Sequence, residues 1–339
     1  MTGIKSALYI VCISFVFLHS CMEPESDSVW QIDQITTLNT VGYCRSAVVV
    51  DDTAYVAAGQ NGFQIWNLSD FFSSGSDPAL ITGMDVYTPG QDFDDISQVE
   101  YSLMHSVIFA VESNSLVHII DKLDADSLDW DGSKMSEKTR EIRVVDDVGG
   151  FTIYAADNDD GLKWNYFELQ SWDEWFHTSG NELFTAGKPT GIDIEGSLLA
   201  QTIDQTGVNL YQLSDITSDP VIVDSADTQG NADKVTITDQ GLFVASEGGG
   251  AYYISISGTS LGSPVQFAED LYVTHVSVSG NTAVLALGSG GIAFYDISNP
   301  VSPQSRGIHK IGYVYKTIFE SNYVLACSRE GLQILSIQK

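Results

Sequence analysis

The stretch GIAFYDISNP, residues 291–300, decides the fold because it is one copy of a pattern that recurs along the chain. It begins with a glycine, places apolar side chains at Ile292 and Phe294, and closes in the turn-forming residues Ser-Asn-Pro. Apolar alternation of period two between turn residues is typical of a β-strand. The stretch therefore predicts a strand that is anchored at its start by glycine.

Seven such strands follow an anchor residue, at spacings of 40 to 53 residues. The anchors are Gly62 (GFQIWNL), Ser115 (SLVHIID), Gly161 (GLKWNYF), Gly207 (GVNLYQL), Gly250 (GAYYISI), Gly291 (GIAFYDI) and Gly331 (GLQILSI). Two further strand-like runs precede each anchor, and a fourth extended run follows the anchored strand. Four strands in this length make a propeller blade, and radial packing buries the faces of such blades. The sequence predicts an all-β, seven-bladed propeller of four-stranded antiparallel blades over residues 29–339.

The two ends of this region predict how the ring closes. The chain stops soon after the seventh anchored strand, so we expect the last blade to lack a fourth strand. The segment VWQIDQITTLN (29–39) is a spare strand with apolar side chains at Trp30, Ile32 and Ile35. Pairing it with the last blade would hide two exposed strand edges. Two domains, built as a solenoid or a pair of sandwiches, are the structural alternative. A trace of helical period occurs only in WDEWFHT (172–178).

The turn after several anchored strands carries an apolar–Asp element or Ser-Asp-Pro. Examples are NLSD (67–70), HIID (118–121), QLSDITSDP (212–220) and DISNP (296–300). This pattern resembles the LVIVD-repeat family of bacterial β-propeller proteins, over nearly all of residues 29–339, with blade six the closest copy. The resemblance implies the propeller fold and an envelope lipoprotein without an assigned activity.

The N-terminus has the features of a lipoprotein signal. Lys5 precedes a twelve-residue apolar run, Ala7–Leu18, which is shorter than the roughly 20 residues that span a bilayer. Cys21 then follows Leu-His-Ser, a sequence that resembles a lipobox. We expect a lipoprotein signal peptide at 1–20, lipid attachment at Cys21 and an acidic tether at 21–28. Met22 in place of Asp favours the outer membrane, with the protein facing the periplasm or the cell surface. An ordinary signal peptide is the alternative.

Charge and cysteine content limit the partners. The 339 residues include 15 Lys and Arg against 45 Asp and Glu, a net charge of −30. Such a surface repels phosphate backbones, so we expect no nucleic-acid partner. Solvation, adaptation to salt, or recruitment of a cation or basic partner would each explain the excess. Beyond Cys21, only Cys44 and Cys327 remain in the body, as two buried thiols or one bridge between adjacent blades.

The sequence contains no nucleophile elbow, CxxC, HExxH or phosphate-binding glycine loop, so we predict no catalytic residues and no metal site. Two acidic segments, DADSLDWDG (124–132) and DNDDG (157–161), suggest calcium as a possible cofactor. Neither has the twelve-residue pattern of a calcium loop, and solvated turns are the alternative. His118 is interpreted as a structural histidine.

In a propeller, the starts of the inner strands and the hairpins before the anchored strands share one end, around the channel mouth. The predicted ligand-binding residues at this end are Arg45, Asp95, Gln98, Asp233, Lys234, His275 and Tyr315, with Glu141 and Thr190 at matching positions. The hairpins predict an acidic rim of Glu112, Asp157, Asp159, Asp160, Asp204, Glu247 and Glu330. Polarity imposed by water in the channel is the alternative explanation.

Blades one to three carry lengthened segments at 69–92, 121–138 and 168–188, which we place at the opposite end. Their aromatic residues, suited to local packing or protein contacts, are Phe71, Phe72, Trp130, Trp172, Trp175 and Phe176. We interpret the protein as a lipid-anchored extracytoplasmic propeller that acts as a binding or scaffolding module for a protein or small ligand. An envelope hydrolase or lyase with its site at the channel mouth is the alternative, and a structural partner of an outer-membrane complex is a third.

Overall fold

The computed structural model describes residues 29–84, 93, 95–113, 116–124, 127–133, 138–170 and 174–339. Within them the chain forms seven four-stranded antiparallel sheets, arranged as a seven-bladed β-propeller, which confirms the predicted fold. The predictions for residues 1–28, including Cys21, and those for Ser115, Asp126 and Trp172 lie outside the described residues.

Blades one to three contain twelve strands, in chain order. These are β2 (Ser46–Val50), β3 (Thr53–Ala57), β4 (Phe63–Asn67), β5 (Ala79–Met84), β6 (Ile96–Ser102), β7 (Val107–Glu112), β8 (Val117–Lys122), β9 (Leu128–Ser133), β10 (Thr139–Asp147), β11 (Gly150–Asp157), β12 (Gly161–Leu169) and β13 (Trp175–Leu183). The lengthened segments therefore supply the fourth strands of these blades, not only loops at the opposite end.

Blades four to seven contain the remaining strands, and β1 (Gln31–Leu38) precedes blade one but belongs to blade seven. The others are β14 (Pro189–Glu195), β15 (Leu198–Ile203), β16 (Gly207–Gln212), β17 (Val221–Ala226), β18 (Lys234–Thr238), β19 (Gly241–Ala245), β20 (Ala251–Ile254), β21 (Ile256–Ser257), β22 (Ser260–Leu261), β23 (Val265–Phe267), β24 (His275–Ser279), β25 (Thr282–Ala286), β26 (Ile292–Asp296), β27 (Gln304–His309), β28 (Val314–Glu320), β29 (Tyr323–Ser328) and β30 (Gly331–Gln338). In blade five, β21 and β22 form a separate hairpin.

The one α-helix among the described residues, α1 (Ser69–Ser74), lies between the third and fourth strands of blade one. It ends at Gly75, which adopts a left-handed conformation. The helical period noted at 172–178 does not correspond to a helix in residues 174–178. Trp175 begins strand β13 and packs against Phe151, with ring centroids 4.5 Å apart. No helix of the described residues is long and apolar enough to cross a membrane.

The recurrent glycine is required by a close approach between the third and fourth strands of a blade. Gly291 has a φ of +86°, and a Cβ added there would lie 2.3 Å from the carbonyl oxygen of His309 on β27. Gly331 has a φ of +119°, and its added Cβ would lie 2.2 Å from the carbonyl oxygen of Leu38 on β1. Only glycine tolerates both the positive φ and the contact.

Seven apolar clusters form the core of the described residues, one between each pair of neighbouring blades. The cluster between blades five and six, for example, joins Phe243 and Tyr253 to Val276 and Tyr295. Each blade thus buries both faces against its neighbours, which an isolated blade could not do.

Strand β1 closes the ring by pairing antiparallel with β30, from Gln31 opposite Gln338 to Leu38 opposite Leu332. The register shifts between Gln34 and Thr36, which reverses the alternation of side chains along the strand. Ile32 therefore packs towards blade six, whereas Leu38 packs into the cluster shared with blade one. The predicted closure is confirmed.

Chain direction fixes what lies at each end of the propeller. The inner strands begin at one end, called the mouth here, and β30 also begins there because it follows a hairpin from β29. Since β1 is antiparallel to β30, Gln31 lies at the end opposite the mouth and Leu38 at the mouth end. The chain therefore enters the propeller at the end opposite the mouth.

The seam between blades seven and one contains the two cysteines of the body. Both are buried free thiols, so the alternative of two thiols holds in this structure. The Cys44 amide donates a hydrogen bond to the Ser328 carbonyl oxygen at 3.0 Å. Burial, together with contact with the Cys327 side chain, raises the pKa of the Cys44 thiol well above its ordinary value.

We predict that Leu38→Ala lowers the free energy of unfolding by about 2–5 kcal/mol, because Leu38 is 2% exposed at the seam and truncation leaves a cavity. The matched control is Ile35→Ala on the same strand, where the side chain is 49% exposed and the change should stay within about 0.5 kcal/mol. Urea denaturation measures both. Equal effects of the two substitutions would contradict the closure described here.

Candidate functional site

The sheet registers place one residue of each inner strand at an equivalent position near the mouth. Each pairs with the penultimate or last residue of the second strand of its blade, and together they form the mouth ring: Ser46, Gln98, Glu141, Gly191, Lys234, His275 and Lys316. Two residues further along, the equivalent positions form the second ring: Val48, Glu100, Arg143, Asp193, Thr236, Ser277 and Ile318. Side chains two apart share one face of a strand, so the second ring lies on the same strand faces as the mouth ring, one step further from the mouth.

A cavity of about 700 Å³ opens at the mouth, and every member of the mouth ring except Gly191 lines it. Five of the 15 Lys and Arg residues of the chain also line it: Arg45, Arg140, Lys188, Lys234 and Lys316. The acidic lining residues are Glu141, Asp204, Asp233 and Glu247. Opposite charges are therefore nearly balanced in the mouth, although the whole chain carries −30.

Of the seven predicted ligand-binding residues, six line this cavity: Arg45, Gln98, Asp233, Lys234, His275 and Tyr315. Asp95 does not line it, but its Oδ2 accepts a hydrogen bond from Arg45 Nη2 at 3.2 Å. Of the predicted acidic rim, only Asp204 and Glu247 line the cavity. The lining residues missed at the level of sequence include Lys316, Arg140 and Lys188.

β-Bulges explain why Lys316 and Arg140 were missed. The registers of blades two, three, four and seven shift just before the mouth ring, which leaves one extra residue there. These extra residues are Ser97, Arg140, Thr190 and Tyr315. Because of the bulge, two consecutive residues line the mouth, such as Tyr315 and Lys316, whereas strict alternation would send one of them into the sheet core.

Arg143 is the centre of an ion-pair network on the side of blades two to five. Its Nε donates to Asp193 Oδ1 at 2.8 Å, and its Nη1 donates to Glu100 Oε1 at 3.0 Å. The same Nη1 lies 3.5 Å from Glu141 Oε1. Burial alone would lower the pKa of Arg143, but Asp193, Glu100 and Glu141 raise it above its ordinary value. The guanidinium stays charged in the channel.

Glu141 connects this network to blades four and five. Its Oε2 accepts a hydrogen bond from the Ile192 amide at 3.1 Å and lies 3.2 Å from Lys234 Nζ. Burial would raise the pKa of Glu141, but Lys234, Arg143 and Lys316 outweigh it and lower the pKa to about 2. The carboxylate is therefore ionised and fully committed to protein partners.

The side of blades six, seven and one differs, because its polar side chains are not saturated. His275 is 7% exposed, and its buried Nδ1 has no hydrogen-bond partner among the described residues. Lys316 Nζ donates to Ser46 Oγ at 3.5 Å and forms no ion pair within the described part of the chain. Burial, and then the charge of Lys316, lower the pKa of His275 well below its ordinary value, so the imidazole is neutral at pH 7.

Aromatic and arginine side chains form the rim above this side. The Tyr313 and Tyr315 rings have centroids 4.8 Å apart, and the Arg45 guanidinium lies 4.8 Å from the Tyr315 ring centroid. Arg329 lies 4.3 Å from the Tyr313 ring centroid and donates from Nε to Tyr315 Oη at 3.2 Å. Tyr272 is 53% exposed, and burial together with Glu247 raises its pKa to about 12.

The other residues singled out in the sequence have structural partners. His118 Nε2 lies 3.2 Å from Glu112 Oε1, and its Nδ1 accepts a hydrogen bond from Trp130 Nε1 at 3.3 Å. Asp131 accepts a hydrogen bond from the Trp175 amide at 3.0 Å, and Asp157 accepts hydrogen bonds from two amides of its own turn. Across the described ranges, no group of three or more His, Cys, Asp or Glu side chains is placed to hold a metal ion.

His275 and Glu141, the two titratable groups of the mouth ring besides its lysines, do not form an acid–base pair in the described structure. A catalytic histidine is oriented by a hydrogen bond to a second group, usually a carboxylate or carbonyl. His275 Nδ1 has no such partner in the described residues, and Glu141 is held by Lys234 and the Ile192 amide. His275 is therefore not oriented by a second side chain or carbonyl at Nδ1 within the described residues.

No protein-family model and no curated protein matches the chain. Solved structures are similar in fold: the WD40 repeats of RRP9 superimpose with a TM-score of 0.66 at 10% identity, covering 91% of this chain and 97% of that one. The WD40 β-propeller domain of Doa1 gives 0.62 at 10% identity, with coverages of 91% and 97%. The computationally designed Ika8 protein gives 0.60 at 10% identity, with coverages of 90% and 99%. At this identity the likeness shows the fold alone.

We predict that Glu141→Gln destabilises the protein by about 3–5 kcal/mol at pH 7, because it breaks a buried ion pair and leaves Lys234 without its partner. The pKa of Glu141 falls from 4.5 to about 2 on folding. Its stabilisation is therefore complete above about pH 5 and is lost as the pH falls through about 2.

Urea denaturation from pH 7 to pH 2 measures this difference, with the exposed Glu195→Gln as the matched control. The gap between wild type and Glu141→Gln should narrow with acidity, while the control stays close to wild type throughout. A gap that is absent at pH 7, or that widens in acid, would contradict the assigned ionisation.

Proposed function

We propose that the protein is a lipid-tethered, extracytoplasmic binding module that holds a small ligand or a protein partner at the mouth of its propeller. One observation carries this proposal. A third of the chain's few basic residues line a single cavity, and on one side of it Lys316 forms no ion pair among the described residues. A charge kept in a partly buried place without a counter-ion costs free energy, which a ligand can recover.

The size and lining of the cavity agree with binding. About 700 Å³ lies within the range of small-molecule sites, and repeat folds present broad surfaces to partners. Tyr43, Tyr272 and Arg329 at the rim are of the residue types that contribute most energy to interfaces. Binding is favoured over an envelope hydrolase or lyase because His275 has no orienting partner among the described residues.

The position of the chain's entry supports a tethered arrangement. Gln31 lies at the end opposite the mouth, and the eight residues from Cys21 to Ser28 reach about 26 Å when extended. A lipid at Cys21 would hold that end against a membrane and leave the mouth facing outward. Residence in the outer membrane and membership of the LVIVD-repeat family stay predictions from the sequence.

The test compares variants of the full chain produced in a Gram-negative host. Cys21→Ser should move the protein from the membrane fraction to the aqueous fraction, whereas wild type stays in membranes until detergent is added. The detergent-extracted protein is then immobilised through its C-terminus, which lies opposite the mouth, and exposed to an envelope extract. Proteins and small molecules that it retains are identified by mass spectrometry.

The double variant Tyr43→Ala/Tyr272→Ala should fail to retain some of the molecules that wild type retains from the extract, because both tyrosine rings are exposed at the mouth. Phe176→Ala is the matched control, since Phe176 is also exposed but is the second residue of the fourth strand of blade three, at the opposite end. Identical retention by both variants, or a Cys21→Ser protein that remains in membranes, would contradict the proposal.

A further inference from the structure

We propose that the half of the mouth formed by blades six, seven and one is a site for an organic carboxylate. The carboxylate group lies between Lys316 and His275, and the body of the ligand packs against Tyr272, Tyr313 and Tyr315. This inference names the ligand class of the mouth and so rests on the proposed function.

Within the mouth ring and the second ring, the two halves differ in how far their charged and imidazole groups are satisfied. Arg143 and Lys234 are each paired with carboxylates, and Glu141 is held by Lys234, Arg143 and a backbone amide. Lys316 is the one cation of the two rings that forms no ion pair among the described residues, and the adjacent His275 has a buried Nδ1 without a partner there. Within the two rings, the unsatisfied groups are therefore neighbours on the side of blades six and seven.

The chemistry of these two groups selects the ligand. An ammonium offers three donors, and a neutral imidazole offers one N–H, so an acceptor with several lone pairs and a negative charge satisfies both. A cationic ligand would be repelled by Lys316, and a neutral one would leave it without a direct ion pair. Because the rings hold only one unpaired cation in their described part, a single carboxylate balances the site.

The rim supplies surface for the rest of such a ligand. Tyr272, Tyr313 and Tyr315 all line the cavity, and Tyr313 and Tyr315 lie with their ring centroids 4.8 Å apart. Tyrosine rings present an apolar body and a polar tip at the edge of a site. A ligand with a flat or apolar part beside its carboxylate therefore fits the lining, within about 700 Å³.

The experiment uses the lipidated full chain in detergent, with ring-labelled histidine observed by NMR. The His275 signals are assigned by their loss in His275→Gln. Benzoate, its neutral analogue benzamide and inorganic phosphate are titrated separately at an ionic strength held constant with sodium chloride. Benzoate should shift the His275 signals in a saturable way, and benzamide should not.

Lys316→Met should weaken benzoate binding about tenfold or more, and Lys316→Arg should restore most of it. Lys310→Met is the matched control, because Lys310 is exposed and outside the cavity lining, and it should bind as wild type does. Thermal unfolding midpoints confirm that each variant is folded. Equal responses to benzoate and benzamide, a stronger response to phosphate, or unchanged affinity in Lys316→Met would overturn the carboxylate assignment.

The outcome separates this inference from the proposed function. Suppose that Tyr43→Ala/Tyr272→Ala no longer retains species that wild type retains, but that benzoate binds equally well to wild type and Lys316→Met. The mouth is then a binding site for another class of ligand, and only the carboxylate assignment fails. Suppose instead that Lys316→Met weakens benzoate binding, but that Tyr43→Ala/Tyr272→Ala retains every species that wild type retains. The carboxylate site is then supported, and the proposed binding of envelope components fails.

Discussion

The pairing of β1 with β30 is the constraint on which the rest of this structure depends. Seven wedge-shaped blades each bury their faces against two neighbours only if the first and last blades also meet. The bulge at Ile35 lets one strand serve both sides of the last blade, with Ile32 directed to blade six and Leu38 to blade one. Through this pairing the edge of β30 that faces β1 is hydrogen-bonded, as is one edge of β1.

The candidate site is a consequence of that closure. Lys316 belongs to blade seven and Ser46 to blade one, and their hydrogen bond crosses the seam. On the other side, Arg143 joins blades two, three and four through carboxylates. Five of the 15 Lys and Arg residues of this acidic chain line the cavity at the start of the inner strands. Glu100, Glu141 and Asp193 pair with the two cations that the rings hold in one half, Arg143 and Lys234, whereas in the other half Lys316 has no ion pair among the described residues and His275 Nδ1 has no hydrogen-bond partner there.

The fold was predictable because its signals are local. The alternation of apolar residues and an anchor such as Gly291 follow from contacts within one blade, so each blade could be recognised from its own sequence. The closing strand was predictable for the same reason, since the pattern of residues 29–39 is that of a strand. The helix α1 was missed because six residues are too few to show a period.

The site was predictable in position and less so in detail. Inner-strand starts such as Gln98, Lys234 and His275 could be assigned to the mouth from topology. The role of Lys316 depends on a bulge beside Tyr315, and that of Arg143 on carboxylates contributed by two other blades. Register shifts and contacts between blades leave no local mark in the sequence, so the asymmetry of the mouth became visible only in three dimensions.

The most direct test of the closure is the rate at which a thiol reagent modifies Cys44 and Cys327 in the folded protein, mapped by mass spectrometry. Both thiols are buried where blades seven and one meet. A closed ring predicts that they react only as fast as the whole propeller unfolds. Rapid modification of either residue under native conditions would show that the seam opens independently and would contradict a ring closed by β1.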